Sequence, residues 1–279
     1  MDVLQRSLGI LQILAIAYLS VLLLVYVTQS RMVYIPAREI IFTPDQIGLK
    51  YEPLTLTTSD HIKIKAWYIP YDTDSKDRKT ILFCHGNGGN ISYRQSYIAV
   101  LHQLGFNLLF FDYRGYGESE GTPHEQGTYL DSEAAWAYLT TIQNIPPENI
   151  LIYGESLGGG VASYLAEKLN QANINIGGLI LGSSFTSIPD RARELFPFLP
   201  VDLLVRYRYP TYDRLPKITA PVLVIHSPQD EIIPFHHGQR NFHRANEPKQ
   251  FLEIIGDHNT GFLESLPTYT AGIKTFAQL

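Results

Sequence analysis

Six short apolar runs recur along the chain, each closed by turn residues: TILFC at 80–84, NLLFF at 107–111, NILIY at 149–153, GLILG at 178–182, PVLVIH at 221–226 and FLEII at 251–255. Unbroken apolar runs of this length suit strands buried on both faces. The segments between them have helical character, as in ISYRQSYIAVLHQLG, TYLDSEAAWAYLTTIQ and LGGGVASYLAEKLNQ. Alternating strands and helices predict an α/β domain, a mostly parallel sheet of about eight strands with helices on both faces. Upstream, LTLTT and HIKIKAWYI alternate polar and apolar residues and should form an antiparallel edge. Residues 183–217 are too long and too proline-broken for one crossover helix, so a small helical cap is expected there. A hydrophobic content of 45% over 279 residues supplies the core that this layout requires. Net charge is −5 and no long basic run could track phosphates, so no nucleic-acid partner is expected.

The second constraint lies at the N-terminus. No residue from 7 to 30 is charged, and a helix over this stretch is long enough to cross about 30 Å of hydrocarbon. A cleaved signal peptide has a shorter apolar region and a small-x-small site, whereas this run continues into TQSRMVY. Residues 1–30 are therefore expected to be an uncleaved transmembrane anchor and residues 31–279 the catalytic domain. Arg6 and the α-amino group precede the run, Arg31 and Arg38 follow it, and Lys50 stands at the edge of the window that sets topology. This count tilts weakly towards a cytoplasmic domain.

Gly-x-Ser-x-Gly occurs twice, at 117–121 and at 154–158. A serine nucleophile belongs on a sharp turn between a strand and a helix, where its hydroxyl projects and the helix N-terminus faces the developing oxyanion. Ser156 follows NILIY and opens LGGGVASYLAEKL, whereas Ser119 lies in a glycine-rich loop before Thr122 and Pro123. Ser156 is thus the candidate nucleophile. It needs a base, and the base needs an orienting acid. In this arrangement the partners follow later strands in the order Ser, acid, His. Asp230 in SPQDEIIP and His258 in GDHN fill those places, with Asp257 a rival acid better suited to fixing its own loop. The oxyanion donors expected are the backbone N–H groups of Leu157 and of Asn87, the latter in HGNGGN after TILFC.

That glycine-rich loop lacks the lysine of a P-loop and the G-x-G-x-x-G spacing of a dinucleotide site, so no cofactor is expected. His85 should position the loop, and Cys84, the single cysteine, should be a buried strand residue. The pair His236-His237 has no ligand partners at useful spacing in the sequence and is expected to be a surface pair, leaving no metal site.

HGNGGN at 85, FDYRGYGESEGTPHEQG at 111, GESLGGG at 154, PVLVIHSPQDEIIP at 221 and GDHN at 256 together resemble the α/β-hydrolase superfamily. Most similar is the membrane-anchored subfamily that includes α/β-hydrolase domain-containing proteins 13 and 17, a group often labelled serine-aminopeptidase-like. The resemblance implies that Asp112, Arg114 and Gly115 belong to a structural loop, which also accounts for the second motif at Ser119. Two departures stand out. Ser227 replaces the usual glycine of a His-Gly-x-x-Asp loop, which would displace Asp230 slightly, and the N-terminal cysteines of the lipidated type 17 proteins are missing. The expected activity is hydrolysis of an ester or thioester, carried by a small molecule, a lipid or an acylated protein. A serine peptidase and a non-catalytic membrane-tethered module are the alternatives. Apolar and aromatic residues crowd residues 185–209, Phe185, Phe196, Leu199, Leu204 and Tyr209 among them, and either line an acyl pocket or pack the cap onto the sheet.

Overall fold

A computed structural model of the chain describes residues 3–71 and 78–278. Arg6, counted above for orientation, lies outside the residues whose side chains are described. The main sheet has eight strands: β1 (Glu52–Thr57), β2 (Lys63–Ile69), β3 (Thr80–Cys84), β4 (Asn107–Phe111), β5 (Ile150–Glu155), β6 (Gly178–Gly182), β7 (Val222–His226) and β8 (Lys249–Glu253). Their spatial order is β8-β7-β6-β5-β3-β4-β2-β1. All neighbours from β8 to β4 run parallel, while β2 is antiparallel to both β4 and β1.

The all-apolar runs are explained by two buried faces. In β3, Leu82 and Cys84 face one core with α3 (Glu125–Ala137) and α4 (Leu157–Gln171). Ile81 and Phe83 face the other, with α2 (Gln95–Gln103) and α10 (Leu266–Ala277), which follows the short α9 (Gly261–Glu264). The last strand departs from expectation. It begins two residues before FLEII, and as an edge strand paired only with β7 it is partly exposed rather than buried.

The cap consists of α5 (Ile188–Leu195), α6 (Val201–Leu204) and α7 (Thr211–Arg214), ahead of β7 and then α8 (Phe235–Arg244). Before the sheet stands α1 (Val3–Val33), whose stretch Ser7–Val33 is long and apolar enough to cross a membrane and has none of its most apolar window buried in the protein. Its C-terminal end is held by the domain. Gln29 donates to Leu204 O at 2.7 Å and accepts from Arg206 N at 2.9 Å. Beyond α1, Ile35 and Pro36 pair in parallel with Gly88 and Gly89, and Ala37 N donates to Gly89 O.

Candidate active site

The chain leaves β5 and enters α4 through Ser156, whose φ of 52° and ψ of −115° place it in a region that L-residues rarely adopt. Two glycines make the turn possible. A Cβ on Gly158 would lie 1.9 Å from Cys84 O, and one on Gly154 would lie 2.5 Å from Gly158 O. β5, β7 and β8 are parallel, so the loops after their carboxyl ends meet on one edge of the sheet. There His258 Nε2 lies 3.1 Å from Ser156 Oγ, and His258 Nδ1 lies 2.8 and 2.9 Å from the two oxygens of Asp230. The Asp230 carboxylate also accepts from the N–H groups of Ile232 and Ile233. Burial pushes its pKa up, but the hydrogen bond and charge of His258 outweigh this and hold it below the ordinary carboxylate value.

Ser227 does not displace Asp230 out of reach of the imidazole. Its hydroxyl donates to Gly256 O at 2.6 Å, and Gln229 Oε1 accepts from Gly256 N at 2.8 Å. These two bonds tie the loop carrying Asp230 to the loop carrying His258. Asp257 turns away, accepting from Asn259 N, Thr260 N and Thr260 Oγ1. Ser119 is buried, accepts from Lys65 N and donates to Asp112 O.

Asn87 and Leu157 line the same cleft as Ser156. Leu157 is the first residue of α4, so its N–H has no partner within the helix. Asn87 is bound through its side chain to Val33 O, and its carbonyl accepts from Ile35 N and Tyr116 OH. Beneath the loop His85 Nδ1 donates to Gly86 O, and Nε2 faces Asp112 at 3.5 Å. Burial pushes His85 down to about 3 and Asp112 up to about 7. Asp112 also accepts from Ile91 N, while Arg114 pairs with Asp131 and Asp60, consistent with a structural loop. Cys84 is fully buried in β3, and burial pushes its thiol up.

A brace around this loop has no signature in the sequence. Glu155, a variable position in the motif, accepts from Gly86 N at 3.2 Å and from Arg94 Nε at 2.7 Å, and Arg94 donates onward to Gly88 O at 3.1 Å. The histidine pair also differs from expectation. His237 is fully buried, and Glu194 of the cap meets both His236 Nε2 at 2.7 Å and His237 Nε2 at 3.1 Å. The cap folds back over α8 and supplies a partner 42 residues away in the chain. Three groups of metal-ligand type therefore converge. Thr186 N–H points at His237 Nδ1, however, which leaves the ring proton on Nε2 facing Glu194, so the trio reads as a latch between cap and helix.

The cleft above Ser156 encloses about 510 Å³. It is lined by Phe185, Leu195, Phe196, Leu199 and Leu204 of the cap and by Val25 and Gln29 of α1. Tyr209, by contrast, is buried against the sheet helices, so the apolar residues of the insert divide between lining and packing.

Comparison with known proteins agrees with this architecture. Residues 79–203 match the family model for the alpha/beta hydrolase fold. Alpha/beta hydrolase domain-containing protein WAV2 of Arabidopsis thaliana is 35% identical over 217 residues, covering 73% of this chain and 69% of that protein. The chain belongs to the α/β-hydrolase family. Alpha/beta hydrolase domain-containing protein 17B of Homo sapiens is 38% identical over 202 residues, 71% of this chain and 65% of its own, in keeping with the subfamily resemblance. The solved Pyrococcus furiosus esterase Pf2001 superposes with a TM-score of 0.69 at 21% identity, covering 87% of this chain and 95% of its own, and so shares the fold.

Proposed function

We propose that the chain is a membrane-anchored serine hydrolase that cleaves carboxylic ester or thioester bonds through an acyl-enzyme on Ser156. The observation that carries the reading is the run of contacts from Ser156 Oγ through His258 to Asp230, beside an apolar cleft. In this reading His258 Nε2 takes the hydroxyl proton as Oγ attacks the acyl carbonyl. The carbonyl electron pair moves onto oxygen, where the N–H groups of Leu157 and Asn87 bind it. Collapse breaks the bond to the alcohol or thiol, and His258 returns the proton to that leaving group. Water, deprotonated by His258, then attacks the acyl-serine and releases the acid. Asp230 holds the imidazole with Nδ1–H towards itself and stabilises its cationic form. Residues 1–30 act as the anchor, residues 31–279 as the catalytic domain, and the charge count favours a cytoplasmic domain. The apolar walls favour an acyl group over a peptide.

A fluorophosphonate probe tests the nucleophile. It should label the full chain and the Ser119→Ala variant but leave Ser156→Ala unlabelled at unchanged thermal stability. Labelling of Ser156→Ala at the native rate would move the nucleophile elsewhere, and no labelling of the native chain would favour the non-catalytic alternative.

A further inference from the structure

The cap does not merely touch the end of α1 but runs along it. Gln29 is bonded at Leu204 and Arg206, and eleven residues earlier Tyr18 OH donates to Phe198 O at 2.9 Å. Eleven residues of helix span about 16 Å. About 20 residues cross a hydrocarbon layer. Any window of that length within Ser7–Val33 begins by residue 14 and ends no earlier than residue 26, so every window contains Tyr18. Tyr18 then lies at least eight residues, about 12 Å, inside the domain-side boundary. Phe198 lies beside it.

The chemistry of the cap tip matches that depth. Leu203 is 85% exposed, Phe198 67% and Leu195 51%, three apolar side chains of the cap that water would penalise. The Arg206 guanidinium lies over the rings of Tyr26 and Tyr207, an aromatic and cationic level suited to headgroups. Of the charges on the cap, Arg193 pairs with both Asp190 and Asp202. Val25 of the apolar run and Leu195 of the cap both line the cleft.

We infer that the cap tip around Phe198 and Leu203 inserts into the leaflet on the domain's side, so that the cleft takes acyl chains laterally from the lipid phase. The inference rests on the reading of α1 as a membrane-spanning anchor. It deepens the hydrolase reading by assigning the substrate to the bilayer.

The test uses the full chain in phosphatidylcholine vesicles with a fluorescent nitrobenzoxadiazole label on one introduced cysteine, since Cys84 is fully buried. The variants are Phe198→Cys, Leu203→Cys, Leu14→Cys on the anchor and Gln171→Cys on an exposed polar surface. Lipid-borne nitroxide should quench the labels at 198 and 203 as it quenches 14, at least fivefold more than at 171, and aqueous dithionite should show the reverse order. Reduction at 198 and 203 as fast as at 171, with 14 protected, would overturn the inference and leave the anchor intact. Exposure at 14 as well would overturn both. Protection from dithionite without nitroxide quenching would mean a protein surface covers the tip, which also overturns it. None of these readouts needs turnover, so they stand apart from the hydrolase reading. As a functional arm, Phe198→Asp with Leu203→Asp should raise KM for a vesicle-embedded long-chain ester at least tenfold and leave kcat/KM for soluble p-nitrophenyl acetate unchanged. An unchanged KM in vesicles would refute lateral entry.

Discussion

Asp257 is the chain neighbour of His258, yet its side chain bonds to Asn259 and Thr260, while Asp230, 28 residues away, offers both oxygens to Nδ1. Hydrogen bonds to Thr260 hold the pKa of Asp257 down, so it is a satisfied turn acceptor. Asp230→Asn should therefore lower kcat roughly a thousandfold or more, as expected when the imidazole loses its orienting carboxylate. Asp257→Asn should cost less than about tenfold, since the positioned imidazole keeps its partner. Steady-state kinetics on a soluble ester decide this, and the opposite order of losses would transfer the acid role to Asp257. The positions of Asp230 and His258 could be read from the chain because each follows an apolar strand by a short, polar loop. Glu155 and Arg94 could not. Nothing in their types or spacing announces that a charge at a variable motif position reaches back 61 residues to steady a loop. The partnership of Glu194 with His237 was hidden for a similar reason, since it depends on how the cap lies on α8.

At the level of elements, the central strands could be placed from the sequence almost to the residue, because burial on both faces leaves an unbroken apolar run. β8 was harder: an edge strand with one neighbour mixes Lys249, Gln250 and Glu253 into its pattern. The fold of the cap could be expected as short helices, but which apolar side chains line and which pack depended on its docking. The loop between β3 and α2 shows how an element acquires precision from outside itself. Glu155 at the end of β5 and Arg94 just before α2 grip it through Gly86 N and Gly88 O. Arg94→Met keeps much of the bulk and removes the grip. We expect kcat on a short ester to fall by roughly tenfold with KM within about twofold, less than the loss on deleting an oxyanion donor outright. A pure KM effect would assign Arg94 to substrate binding instead.

At the scale of the whole molecule, α1 and the α/β fold share the cleft, because Val25 and Gln29 of α1 line it together with Ser156 and Leu157. Deleting residues 1–30 leaves the pairing of Ile35 and Pro36 with the glycine-rich loop in place, so the truncated chain should fold and should hydrolyse p-nitrophenyl acetate within severalfold of the full chain. The two forms should differ on longer acyl groups. In the full chain kcat/KM should climb with chain length by up to about 0.8 kcal/mol, roughly fourfold, per buried methylene until the cleft is full. The truncated form should plateau sooner. Equal ladders would show that α1 takes no part in acyl binding, and a fall from acetate onward in the full chain would refute an acyl cleft. The pairing of Ile35 and Pro36 with Gly88 and Gly89 pins the chain just beyond α1. Asn87 bonded to Val33 and Ala37 bonded to Gly89 fix the end of α1 to the loop beside Ser156. Under the proposed membrane-anchored reading, this pinning sets the cleft at one height and one azimuth, so that scissile bonds are selected by their depth relative to the lipid surface before any pocket inspects them.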